Sequence, residues 1–158
     1  MDSPANPRNP GLTTWSLRRA TEDDRTLLYE MNRVTMRSYV EAVWGWDETF
    51  QLKFFDEHFR LDGTRQIIEV DGRSVGMIEV IERPQDFLLV SIRVLPDWQD
   101  QGIGTSVIRS VIDRATAANK PVALKVLKMN VRAQELYRRL GFSVARESDV
   151  HLWMTHPG

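Results

Sequence analysis

Apolar side chains recur along this chain at two periods, and the switches between them mark its elements. Thr14 to Ala20 reads as a short strand, and Thr21 with Asp24 three residues later has the spacing of a capped helix start with acids in its first turn. Leu27, Leu28, Met31, Val34 and Tyr39 then keep near-helical spacing to about Val43, with an interruption expected midway, as two helices or one kinked helix. Gly45 breaks the pattern between Trp44 and Trp46, and Asp47 can cap a second helical stretch carrying Phe50, Leu52, Phe54, Phe55 and Phe59. An aromatic stripe at helical spacing is expected to pack as core, whereas two tryptophans at a helix break are candidates for a substrate pocket.

Strand signals follow. Arg65 to Val70, Asp71-Gly72 and Arg73 to Ile81 predict a hairpin, because Asp-Gly supplies the positive φ angles of a tight type I′ turn. Arg83 to Asp86 makes the next turn and Phe87 to Leu95 the next strand. Ile103, Val107, Ile108, Val111, Ile112 and Ala115 share one helix face, and Val122 to Leu127 reads as a strand. A strand–helix–strand unit implies a right-handed crossover with its two strands parallel. Asn130 can cap a last helix that Gly141 stops, and Phe142 to Arg146 with Val150 to Met154 closes the chain.

Composition narrows the function classes. At 158 residues, one domain at 13–158 behind a loose Pro-containing tail at 1–12 is expected. Twenty-one Lys plus Arg against 22 Asp plus Glu gives a net charge of −1, so neither nucleic acid nor an anionic membrane surface is an expected partner. The absence of cysteine excludes disulfides, thiolate metal sites and a cysteine nucleophile. With no signal-type or membrane-length apolar run, a cytoplasmic protein is expected.

The chemistry concentrates between Phe87 and Ala118. A buried strand, a Pro-containing turn, the loop Gln99-Asp100-Gln101-Gly102-Ile103-Gly104-Thr105 and a helix follow one another, and the free N–H groups and dipole of the helix start favour an anion there. The loop is neither a dinucleotide fingerprint, since Val107 stands where a third glycine would be, nor a P-loop, since no Gly-Lys-Ser/Thr occurs. Two glycines alone also fit a tight strand-to-helix connection. Together with Val94-Leu95-Pro96 before the loop, Asn130, and Leu136-Tyr137-Arg138-Arg139-Leu140-Gly141-Phe142 after it, the pattern resembles the GNAT superfamily of acyl-CoA-dependent N-acyltransferases.

That resemblance implies an α/β (α+β) fold: a mixed, mostly antiparallel sheet of about six or seven strands, with a parallel pair at the cofactor site and helices on both faces. It also implies acetyl-CoA as co-substrate, with no metal. Gln99, Asp100, Gln101, Gly102, Ile103, Gly104 and Thr105 would wrap the pyrophosphate. Ile92 and Val94 would lie along the pantetheine arm, the Val94 N–H serving as an oxyanion-hole donor, and Asn130 would contact the arm or simply cap its helix. Tyr137 takes the position of the general acid for the leaving thiolate. With a hydroxyl pKa about 10 against about 8.5 for a thiol, full transfer costs about 2 kcal/mol, so a hydrogen bond to sulfur suffices.

An alkyl amine acceptor, small molecule or peptide, must lose a proton at a cost of roughly 4.6 kcal/mol at pH 7, so a base is expected. Leu88 stands near the position where some relatives in the superfamily carry a glutamate. With Pro84 and Gln85 as turn centre, Glu79 would face Val90 on the sheet face of Leu88, Ile92 and Val94, which makes Glu79 the first candidate base. His151 is the second, and also a candidate acceptor contact with Trp44 and Trp46. Glu41, Asp47 and Glu48 could attract a cationic amine. Two rivals stand beside the transferase: a non-catalytic acyl-CoA-binding domain and a protein-interaction module built on the aromatic helices. A homodimer paired through an edge strand near the C-terminus is compatible with the same pattern.

Overall fold

A computed structural model describes residues 14–158, so the expected tail at 1–12 lies outside the described residues. In chain order the elements are β1 (Ser16–Arg19), α1 (Arg25–Trp44), α2 (Glu48–His58), β2 (Arg65–Val70), β3 (Arg73–Glu82), β4 (Phe87–Val94), α3 (Ile103–Ala117), β5 (Val122–Leu127), α4 (Val131–Arg139), β6 (Ser143–Glu147) and β7 (His151–His156). The seven strands form one sheet in the order β1-β2-β3-β4-β5-β7-β6. β4 and β5 pair in parallel, whereas β1–β2, β2–β3, β5–β7 and β6–β7 are antiparallel, giving the mixed sheet the sequence implies. The chain divides into two compact units, one holding the described residues through Glu79 with Ile92–Ile103, the other Val80–Ser91 with Gly104–Gly158.

In the first unit, a single 3-10 turn at Glu22–Asp24 leads into α1. The Asp24 carboxylate accepts from the Thr21 N–H at 2.8 Å and from two Arg18 guanidinium nitrogens at 2.8 Å each. Those Arg18 bonds, with the Thr21 N–H, outweigh burial and hold the Asp24 carboxyl down at about 2. α1 then runs 20 residues without the expected interruption. No glycine or proline falls inside it, and Thr35 returns its hydroxyl to the Met31 carbonyl at 2.7 Å, inside the helix. Its C-cap Gly45 sits at φ 79°, a left-handed conformation that ends the helix.

The phenylalanines of α2 divide. Phe55 and Phe59 pack against the core of Leu28, Met31, Ile67 and Met77, but Phe50 and Phe54 remain 59% and 50% exposed, so the expected core stripe is only half core. The reason is angular: the row 51, 55, 59 and the row 50, 54, 58 lie one residue, roughly 100°, apart around the helix axis. Phe54 instead stacks on His58 at 4.0 Å. The β2–β3 hairpin closes as expected, Asp71 and Gly72 both having positive φ.

In the second unit the turn into β4 is fixed by the Arg83 N–H donating to the Asp86 carbonyl at 2.8 Å, and by two guanidinium–carboxylate bonds of 2.6 Å between the same residues. The parallel ladder pairs Phe87, Leu88 and Leu89 with Val122, Ala123 and Leu124. Val107, Ile108, Val111 and Ala115 form the buried face of α3, as their spacing predicts. Gly141 ends α4 at φ 101°, where an added Cβ would stand 3.0 Å from the His156 ring.

Candidate active site

The loop before α3 is shaped by backbone conformation and by its own amides. Pro96–Trp98 forms a 3-10 turn, then Asp100 and Gly102 both take left-handed conformations, with φ 62° and 80°. Left-handed residues in such a loop turn successive N–H groups toward one side, and Gly102 adopts that geometry without Cβ strain. The first turn of α3, Ile103, Gly104 and Thr105, carries no acid to neutralise the helix start. Ile103 is buried; Gly104 and Thr105 are half-buried. The Gln99 side chain donates to the Val94 carbonyl at 2.8 Å, and Gln101 donates to the Asp97 carbonyl at 3.1 Å. Gln99 thus ties the loop to the end of β4, where Ile92 and Val94 are half-buried.

In the second unit, Asn130 caps α4: its side-chain oxygen accepts from the Ala133 N–H at 3.1 Å. Tyr137 lies two turns further along and is 8% exposed, its ring 5.7 Å from that of Phe142. The Tyr137 carbonyl accepts from the Leu140 and Phe142 N–H groups, which fixes the residue within the helix terminus. His151 opens β7, paired with Leu127, and burial first and Lys125 second push its imidazole below the ordinary value. His58 and His156 are engaged locally, with the Phe54 carbonyl and the Gly158 N–H.

Glu79 is a buried residue of the first unit, on β3 opposite Arg65 of β2. Arg65 donates from Nε to Glu79 Oε2 at 3.1 Å and from Nη2 to the His58 carbonyl at 3.1 Å, with the Phe59 ring 5.5 Å away. At the α1–α2 corner Trp44 is exposed, whereas Trp46 donates its indole N–H to Glu48 Oε2 at 2.7 Å. The other oxygen of Glu48 accepts from the Tyr29 hydroxyl at 2.6 Å. The Trp46 and Tyr29 bonds hold the Glu48 carboxyl below its ordinary value, and burial, then Glu48, push the Tyr29 hydroxyl up to about 12. Sequence reasoning missed Arg65 and Tyr29 because their partners lie across a strand pair and across a helix corner. It also missed the Gln99 side-chain bond, which has no local signature.

Residues 26–142 match the family described as the acetyltransferase (GNAT) family. The chain belongs to that family. It is 31% identical over 101 residues to spermidine N(1)-acetyltransferase of Escherichia coli K12, covering 59% of this chain and 53% of that protein. An uncharacterized N-acetyltransferase of Methanocaldococcus jannaschii is 28% identical over 146 residues, 83% of this chain and 62% of that one. The chain therefore spans about half the length of the spermidine enzyme it matches, 53%. In fold it is similar to the PaiA N-acetyltransferase of Thermoplasma acidophilum, solved in complex with coenzyme A, with TM-score 0.75, 14% identity and coverage of 92% of this GNAT chain and 99% of that one. Among the described residues, no helix is long and apolar enough to cross a membrane.

Proposed function

We propose that this GNAT chain is an acetyl-CoA-dependent N-acetyltransferase acting on a primary amine of a small molecule or peptide, with residues 13–158 as its acetyltransferase domain. The observation that carries the reading is the loop with Asp100 and Gly102 left-handed before an acid-free helix start, inside a family match over residues 26–142. Backbone N–H groups from Gln99 to Thr105 hold the pyrophosphate, and Gly102 and Gly104 let the backbone approach it. Ile92 and Val94 line the pantetheine arm, which Asn130 also touches while capping α4. The thioester supplies the acetyl group: the amine nitrogen bonds to its carbonyl carbon, the carbon–sulfur bond breaks, and coenzyme A leaves as thiol.

This chain's residues manage charge and protons around that step. The Val94 N–H stabilises negative charge on the carbonyl oxygen. Glu79 accepts the proton that the attacking amine releases, and Tyr137 donates to the departing sulfur. Trp44, Trp46 and His151 contact the acceptor, and the ionised Glu48 attracts its cationic form. The alkyl amine substrate in the name of the spermidine relative supports an amine acceptor of this kind. We further propose a cytoplasmic setting and no metal requirement.

Thiol release from acetyl-CoA, followed over a panel of polyamines, amino acids and peptides, tests the reading. Turnover with at least one amine, and acetylation of that amine by mass, are expected. Tight coenzyme A binding without turnover for any amine would favour a non-catalytic acyl-CoA-binding domain instead.

A further inference from the structure

α4 buries two residues, Gln134 and Tyr137, three positions apart and therefore on one helix face. Gln134 is 7% exposed, and a primary amide is placed there at a cost unless its N–H groups are used. Both are: Nε2 donates to the Leu127 carbonyl at 3.1 Å and to the Lys128 carbonyl at 2.8 Å. Those carbonyls belong to the last residue of β5 and the first of the connection to α4. The Leu127 carbonyl also accepts from the Asn130 N–H at 3.0 Å, and the Asn130 carbonyl from the Gln134 N–H at 3.2 Å. One side chain thus closes the β5–α4 junction from inside the helix, a turn before Tyr137.

From this geometry we infer that Gln134 is a positioning residue for acetyl transfer, setting where α4 holds the Tyr137 hydroxyl against the leaving sulfur. The inference rests on the proposed acid role of Tyr137. Apart from Tyr137, no other polar side chain of α4 is buried, and Gln134 is the one whose bonds to the junction carbonyls are seen. Without them the carbonyls of Leu127 and Lys128 seek other donors, and the helix start shifts relative to β5. A displacement on the order of 1 Å is enough to cost up to about 10²-fold in rate, since proton donation depends steeply on distance.

The test is a double-mutant cycle read in kcat under conditions where chemistry is rate-limiting. Gln134→Met keeps length and removes both donors; Gln134→Leu repeats the cycle should the methionine variant melt below the assay temperature. With Tyr137 present, Gln134→Met is expected to lower kcat about tenfold with KM for acetyl-CoA within about threefold. In the Tyr137→Phe background the same change is expected to lower kcat less than about twofold, because the group it positions is gone. An equal fold-loss in both backgrounds overturns the positioning role while leaving Tyr137 as the acid. An unchanged kcat for Tyr137→Phe alone overturns both.

Discussion

Arg65 and Glu79 face each other across β2 and β3, Nε to Oε2 at 3.1 Å, with only 13% and 11% of their side chains exposed. A pair this sheltered depends on both members. Arg65→Met leaves a carboxylate in a site built for a pair and is expected to cost about 3 kcal/mol of unfolding free energy, the lower end of the range for a broken buried pair. Arg65→Met combined with Glu79→Leu removes both charges and should recover most of that loss. Urea denaturation of the two variants checks this; a double variant as unstable as the single one would contradict it.

The same geometry leaves Glu79 Oε1 with no partner among the described residues, while Oε2 is held by Arg65. Glu79→Gln keeps shape and removes the proton acceptor. On the proposed mechanism, kcat/KM for the amine at pH 7 falls on the order of 10²-fold while coenzyme A affinity is retained. A wild-type kcat/KM and pH profile would return the base to His151 or to a water chain.

Asp24 carries a pH-dependent part of the stability. Its carboxyl lies at about 2 against 3.8 for an unperturbed one, so the folded state favours the ionised form. The gain is complete above about pH 4, is lost as pH falls through about 2, and amounts to about 2 kcal/mol. Asp24→Asn should therefore be about 2 kcal/mol less stable than the parent at pH 6, and the gap should narrow below about 1 kcal/mol at pH 2.5. A gap independent of pH would show that Arg18 does not act on the charge of Asp24.

Much of the fold was legible because its signals are local. Asp71-Gly72 forces its own turn, Asn130 caps the next residues, and Gly102 marks the loop wherever the rest of the chain goes. Of the candidate site, the loop conformation at Asp100 and Gly102 and the Asn130 cap are local in the same way, whereas the proposed role of Tyr137 comes with the resemblance and not from its neighbours. What escaped depends on partners far along the chain. The aromatic spacing of α2 announces a helix but not which row, 51-55-59 or 50-54-58, meets Leu28 and Met31. Glu79 reads as a strand carboxylate, and only pairing with β2 brings Arg65 to it. The expected break in α1 failed because weak periodicity after Met31 reflects a helix whose later residues, such as Val34 at 41%, face solvent.

Gly76 is a second close approach. A Cβ added there would stand 2.2 Å from the Arg93 carbonyl oxygen, and backbone cannot yield as a side chain would. Gly76→Ala is expected to displace the end of β4 that leads to Val94, lowering Tm and weakening coenzyme A binding together. Unchanged affinity in a folded variant would separate the β4 terminus from the cofactor site.

The loop from Gln99 to Thr105 is proposed to hold the pyrophosphate of coenzyme A. Calorimetric titration of the full chain with coenzyme A, beside Gly102→Val and Tyr137→Phe, tests it most directly. One site is expected in the parent, with affinity retained in Tyr137→Phe and lost at least about tenfold in Gly102→Val, where a β-branched residue is strained at φ 80°. No heat of binding in the parent, or equal affinity in a folded Gly102→Val variant, would contradict it.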